Sequence, residues 1–250
     1  PAGPGRGFYA RTSRGLRIYL GTPRLRGLLA LTLAAAAGSA MVIVNTVVIV
    51  RDRLGLSQSD VALALAAFGG GSMLAALLLP RLLDRRGDRA VMLAAAGTMS
   101  LGLGALALAT TLVAPASFWS LLLAGWFVLG VAYSMSVTPG GRLLRRSANA
   151  EDRPALFAAQ FALSHVCWLV AYPLSGWLGA SLGQAEAFAG MAAVALIGSG
   201  LGLLLWPRHD PDVMPHEHDD LPAGHAHLVE GHDAGRATHG FVIDDLHSNW

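Results

Sequence analysis

"PRLLDRRGDRAVML" (Pro80–Leu93) sets six ionised side chains, Arg81, Asp84, Arg85, Arg86, Asp88 and Arg89, within nine positions. On either side lie Val61–Pro80 and Ala90–Gly141, which carry no charge at all. A helix rises 1.5 Å per residue, so about 20 apolar residues cross the roughly 30 Å of hydrocarbon in a bilayer. A tight knot of cations between two such runs reads as a short cytoplasmic turn joining two antiparallel membrane helices. Gly87 suits the left-handed conformation that ends a helix and reverses the chain. Asp84 and Asp88 are expected to pair with neighbouring arginines.

The rest of the chain has the same character. Of 250 residues, 54% are hydrophobic and 14% charged, against about 25% charged in a soluble domain; the mean hydropathy is +0.50. Uncharged runs cover Gly27–Val50, Val61–Pro80, Ala90–Gly141, Pro154–Ala185 and Ala187–Pro207. The third is long enough for two crossings and breaks at "TTLVAPASFW", where Pro115 suits a turn and Ser117 a helix cap. Six spans result, near 27–50, 61–83, 89–113, 117–138, 155–180 and 186–206. Thr22 with Pro23, the loose capping box Ser57–Asp60, and Asp152 with Pro154 mark helix starts. Six consecutive runs of this length leave no amphipathic outer face for a soluble bundle. The expected fold is an all-α membrane protein of six transmembrane helices. Residues 1–24 form a juxtamembrane linker, 25–207 the bundle, and 208–250 a largely disordered tail.

All 18 basic residues are arginine, and their placement sets the orientation. Six precede the first span, four lie in the second–third loop, and Arg142, Arg145, Arg146 and Arg153 lie in the fourth–fifth. The other three connections hold only Arg51 and Arg53. Cationic loops stay cytoplasmic, so both termini are expected on the cytoplasmic side of the inner (plasma) membrane. The single cysteine, Cys167, excludes an internal disulfide. The chain opens on Pro1 with no signal peptide, which reads as a piece of something longer.

The residue order within the knot resembles the loop signature of the major facilitator superfamily, G-x-L-A-D-R-x-G-R-R/K. Leu82, Asp84, Arg85, Gly87 and Arg89 match it; Pro80 replaces the first glycine and Asp88 an arginine. Those departures are similar to the weaker copy between the eighth and ninth helices of such transporters. "GLRIYLGTPRLRGLLAL" resembles the linker entering the seventh helix, and "TPGGRLLRRSANAEDRPALFAAQFALSHVCWLVAYPLSGWLG" the tenth-to-eleventh connection of bacterial efflux members. The likeness covers about residues 10–207. It implies one half of a major facilitator fold, a missing N-terminal six-helix half as partner, and a loop that clamps neighbouring helices during switching.

Substrate contacts are sought among polar residues inside spans, because these are costly there. No Asp, Glu or Arg lies mid-span. His165 is the one intramembrane histidine; with Trp168 and Tyr172 at i+3 and i+7 it shares a helix face. Gln160 lies beside it, while Asn45 and Tyr133 are further pathway candidates. Gly69, Gly70, Gly71, Gly198 and Gly202 fit close helix contacts.

The last 43 residues differ in kind. Residues 208–250 hold two Arg and nine acids, a net of −7, against +9 for the rest. His216, His218, His225, His227, His232 and His239 stand among carboxylates, a donor set that suits Zn, Ni or Co ions. Such a metal on the tail is the only cofactor the sequence suggests; the transporter itself requires none. "FVIDDLH", beginning at Phe241, is apolar enough to dock on the cytoplasmic loops, whose charge is opposite.

The function expected is secondary active transport, efflux of a small-molecule substrate by alternating access. The alternative is a divalent-metal exporter, either a facilitator with a metal-sensing tail or a six-span dimer. An intramembrane serine protease needs G-x-S-G, which neither "PLSG" nor "IGSG" supplies, so no enzyme is expected. Nucleic acid is not an expected partner, since the arginine clusters face an anionic lipid surface.

Overall fold

The computed structural model describes residues 8–210, 213–216, 232–233, 236–240 and 242–243, with side chains from residue 13 onward outside the tail strands. The chain begins with α1 (Phe8–Gly21), followed by α2 (Pro23–Val47), which runs on through a π-helical turn, Val48–Arg53. Then come α3 (Gln58–Arg86), α4 (Asp88–Leu112), α5 (Pro115–Val137), the short α6 (Gly140–Arg146), α7 (Arg153–Ser181) and α8 (Gln184–Leu205). Six of these are long and apolar enough to cross a membrane: the α2 and α5 segments, α3, α4, α7 and α8. In the tail, β1 (Val213–His216), β2 (His232–Asp233) and β3 (Arg236–Gly240) form an antiparallel sheet in the order β1-β3-β2.

Local chemistry explains most boundaries. Ser57 and Asp60 close a full capping box: the Asp60 N–H donates to Ser57 Oγ at 3.4 Å, and the Ser57 N–H to Asp60 Oδ2 at 2.9 Å. This satisfies two amides that a helix start leaves without partners. Gly87 ends α3 at φ +72°, its N–H bonded to Leu83 O at 3.0 Å. The break at Pro115 lies two residues earlier than Ser117 suggests. Ala114 is the cap residue and Pro115 opens the helix, since proline has no N–H to satisfy and a φ already helical. The knot is also more helical than a turn: Arg81–Arg86 complete α3, and Gly87 alone separates α3 from α4.

Packing is unequal. Residues on nearly every side of α2 are buried, from Pro23 to Thr46, under α5, α7 and α8. By contrast α3 buries one narrow stripe, Val61, Ala64, Gly71, Ala75 and Leu79. Leu77, Leu101, Leu169 and Leu204 are all more than 60% exposed, which in water would be unfavourable and in hydrocarbon is not. α3 lies on α5 and barely touches α4, which packs on α8 and α5.

The α3–α5 crossing depends on two glycines that face each other's backbones. A methyl at Gly71 would lie 2.0 Å from Phe127 O, and one at Gly130 2.0 Å from Phe68 O. Gly198 is similarly tight, 2.6 Å from Ala30 O, and Gly202 meets Leu31. Gly69 and Gly70 have nothing within 4 Å of such a methyl, so the close-contact expectation fails for them. Gly71→Ala and Gly130→Ala should each cost about 1–3 kcal/mol by overpacking and lower the unfolding temperature in detergent. Gly70→Ala should leave it unchanged or slightly raised.

Candidate functional site

Polar side chains gather in two places: along the packed interfaces of α2 and α7, and at the end where the start of α2, α6, the exit of α8 and the α3–α4 junction meet.

Along those interfaces several polar side chains bond across helices. Asn45 on α2 is buried, donating Nδ2–H to Ser175 Oγ at 2.8 Å and accepting from Gln184 Nε2 at 3.3 Å. That ties α2 to α7 and α8. Trp126 Nε1 donates to Thr46 Oγ1 at 2.8 Å, and Trp168 Nε1 to Ser39 Oγ at 2.9 Å. Gln160 Oε1 accepts from the Tyr19 hydroxyl, which joins α7 to α1. Burial, then the electrostatic effect of Cys167, pushes Tyr19 well above the ordinary phenol range, so it remains a donor. Asn45 and Gln160 are therefore engaged in cross-helix bonds.

His165 differs. It is exposed, and its Nδ1 lies 2.7 Å from Phe161 O. A carbonyl only accepts, so Nδ1 is the donor in this contact. The ring sits 4.0 Å from that of Phe161 and 6.0 Å from that of Trp168, centroid to centroid. Half-buried Tyr172 is on the same helix, and half-buried Tyr133 on α5 stacks against Phe68 at 5.6 Å. On α7, His165 stands about two turns and Trp168 about one turn before Tyr172.

At the charged end the central group is Asp88, whose side chain is only 4% exposed. Arg142 on α6 donates to it from Nε at 3.1 Å and from an Nη at 2.7 Å; Arg146 approaches at 3.5 Å. Arg146 also lies 3.7 Å from Asp210, and Asp210 lies 3.6 Å from the fully buried Arg24 at the start of α2. Trp206 Nε1 donates to Asp210 at 3.3 Å. Arg89 donates to Trp206 O at 2.9 Å and Leu203 O at 3.2 Å, neutralising carbonyls that the end of α8 leaves open. Separately, Arg14 holds Asp152 in a two-pronged pair at 2.5 and 2.8 Å, fastening α1 to α7. Asp152 thus answers an arginine instead of capping its own helix.

Two expectations change here. Asp88 pairs with Arg142 and Arg146, more than fifty residues away, not with its neighbours. Asp84 and Arg85 are exposed and make no ion pair among the described residues. Of the motif positions, Gly87 shapes the junction and Arg89 caps α8, while Leu82 lines an apolar groove. Asp88, the departure from the motif, is the buried anion. Sequence reading missed its partners because ion pairs this far apart leave no local spacing.

In the tail, His218, His225 and His227 lie outside the described residues, and for His216, His232 and His239 only the backbone is described. Ile243 is buried, its Cδ1 2.6 Å from where a Gly21 methyl would stand. Of "FVIDDLH" only Val242 and Ile243 are among the described residues, and Ile243 lies at the α1–α2 corner.

The family model of the Major Facilitator Superfamily matches residues 28–237. The chain belongs to that superfamily, and its six spans form an all-α bundle with the architecture of one half of the facilitator fold. It is a multi-pass membrane protein of transporter type. No curated protein and no solved structure matches the chain.

Asp88→Ala should leave Arg142 and Arg146 without their shared anion and cost about 1–3 kcal/mol. Thermal unfolding in detergent checks this: Asp88→Ala falls by several degrees, and Asp84→Ala, four positions earlier but exposed, does not move.

Proposed function

We propose that the chain works as one six-helix half of a secondary transporter, with a second bundle preceding it, and exports a small solute by alternating access. One observation carries this reading. α7 carries the exposed His165, whose Nε2, like the hydroxyl of half-buried Tyr172, has no hydrogen-bond partner among the described residues, while neighbouring Trp168 is bonded to Ser39 of α2. Intramembrane polar atoms left open are costly unless something binds them. We place this face toward the second bundle, with His165, Trp168, Tyr172 and Tyr133 as substrate contacts. Asn45 and Gln160 position the helices that carry them. The arginine bias supports a cytoplasmic location for the charged end and both termini, in the inner (plasma) membrane. We assign no catalytic role.

In everted vesicles holding the complete transporter, His165→Ala should reduce solute uptake at least tenfold without lowering the unfolding temperature, and His165→Gln should restore part of it. Full uptake by His165→Ala removes this face from the pathway; no uptake by the parent protein removes the exporter reading.

A divalent-metal exporter is the second reading, with a metal-sensing tail. The strand register favours it: His216 and His232 flank the same residue of β3, Ala237, and His239 stands two residues further along that strand. Residues directly opposite, or two apart on one strand, lie on one face of a sheet, so the backbone register sets these three positions on the same face. The six-span dimeric version gains no such support, since among the described residues no three His, Cys, Asp or Glu side chains gather. Replacing His216, His218, His225 and His227 with Ala should raise cellular Ni, Co or Zn content several-fold under metal stress. Unchanged metal content rejects the reading.

A further inference from the structure

Two cavities meet at Arg86. The first, of about 300 Å³, opens at the charged end and is lined by Arg86, Arg89, Arg146 and Arg208 together with Asp88 and Asp210. The second, of about 390 Å³, lies between α3, α4 and α5 and is walled by Leu82, Val91, Ala94, Thr98, Phe127 and Val131. Arg86 and Ala90 belong to both. A basic mouth therefore leads directly into an apolar groove that follows α4 from Ala90 to Thr98, about 12 Å of helix rise.

The charges in the mouth are not equivalent. Asp88 is answered by Arg142 and Arg146, and Asp210 by Arg24 and Arg146. Arg89 is turned onto the carbonyls at the end of α8. Arg86 and Arg208 are exposed and have no hydrogen-bond or ion-pair partner among the described residues. The two carboxylates are thus already compensated, and two guanidinium groups flank the mouth with their donors open. Guanidinium presents a planar fork that matches phosphate oxygens. Buried Trp206, which also lines this mouth, gives it an amphipathic aromatic wall.

We propose that this joined cavity binds an anionic phospholipid, the phosphate between Arg86 and Arg208 and one acyl chain in the α3–α4–α5 groove. A soluble phosphate shares the first contact but has no use for the second, and the groove opens onto the hydrocarbon that α3 and α4 cross. Basic pockets at the ends of membrane helices are suited to lipid headgroups of this charge. The site is separate from the α7 face, so it stands or falls independently of the transport reading.

The test uses the purified full chain in phosphatidylcholine nanodiscs doped with phosphatidylglycerol, scoring lipids retained after detergent exchange by mass spectrometry. The parent protein should retain phosphatidylglycerol well above its bulk fraction. Arg86→Ala and Arg208→Ala should each lower that enrichment about fivefold, corresponding to about 1 kcal/mol per lost cation. Ala94→Phe, which fills the groove without touching a charge, should also lower it. Arg85→Ala removes an equal charge one residue away, outside both cavities, and should leave enrichment unchanged. An equal loss with Arg85→Ala means diffuse attraction and overturns the site. So does full displacement by millimolar glycerol phosphate, which marks a phosphate pocket only, or enrichment absent from the parent. Variants are compared only where the unfolding temperature is unchanged; Arg86 and Arg208, both exposed, meet that condition.

Discussion

A carboxylate shut away from water, Asp88, organises the end of the bundle where the helices must be held in register. Alone, an ionised group so enclosed is strongly disfavoured, and it persists only with its charge answered. Arg142 and Arg146 answer it from α6, and Arg146 also faces Asp210, which in turn faces the enclosed Arg24 of α2. Through shared partners, the α3–α4 junction, the short helix after α5, the start of α2 and the exit of α8 become one unit. In water such a chain of pairs contributes little. Where part of it is hidden from solvent, removing one member strands the others, so the cluster acts together.

Between the spans a different constraint operates. Lipid offers no hydrogen-bond partners, so each buried polar side chain must find one within the protein. The cross-helix bonds of Asn45, Thr46, Ser39 and Gln160 meet that need, and they stitch α2 to its surroundings. His165 differs in being exposed, with Nε2 unpartnered among the described residues. The same reasoning divides glycines that let backbones meet, as at Gly71 and Gly130, from those that face open space.

Much of the bundle was legible from sequence because its cues are local. Uncharged length gave the number of spans, and Ser57–Asp60 and Gly87 gave two boundaries directly. Pro115 marked the right place, although the hydroxyl of Ser117 drew the start two residues too far, since a proline can open a helix without a side-chain cap. The short α6 was invisible: seven residues rich in arginine carry no apolar period. The charged network escaped for another reason. Asp88 looked like one member of a cluster of sequence neighbours, and which arginine answers it depends on how α6 folds back, a tertiary fact. For the candidate site, helical spacing correctly placed His165, Trp168 and Tyr172 on one helix. It did not reveal that Gln160 and Asn45 are taken up by Tyr19 and Ser175.

Ile243 lies against Gly21, while thirty-three residues earlier Asp210 holds Arg24 and Arg146. Two described points of the C-terminal extension, Asp210 and Ile243, thus meet the same corner of the bundle. A change at either contact is felt at the junction of α1 and α2, and α2 is the helix most deeply enclosed by the others. An event at either contact therefore has a mechanical route into the centre of the protein.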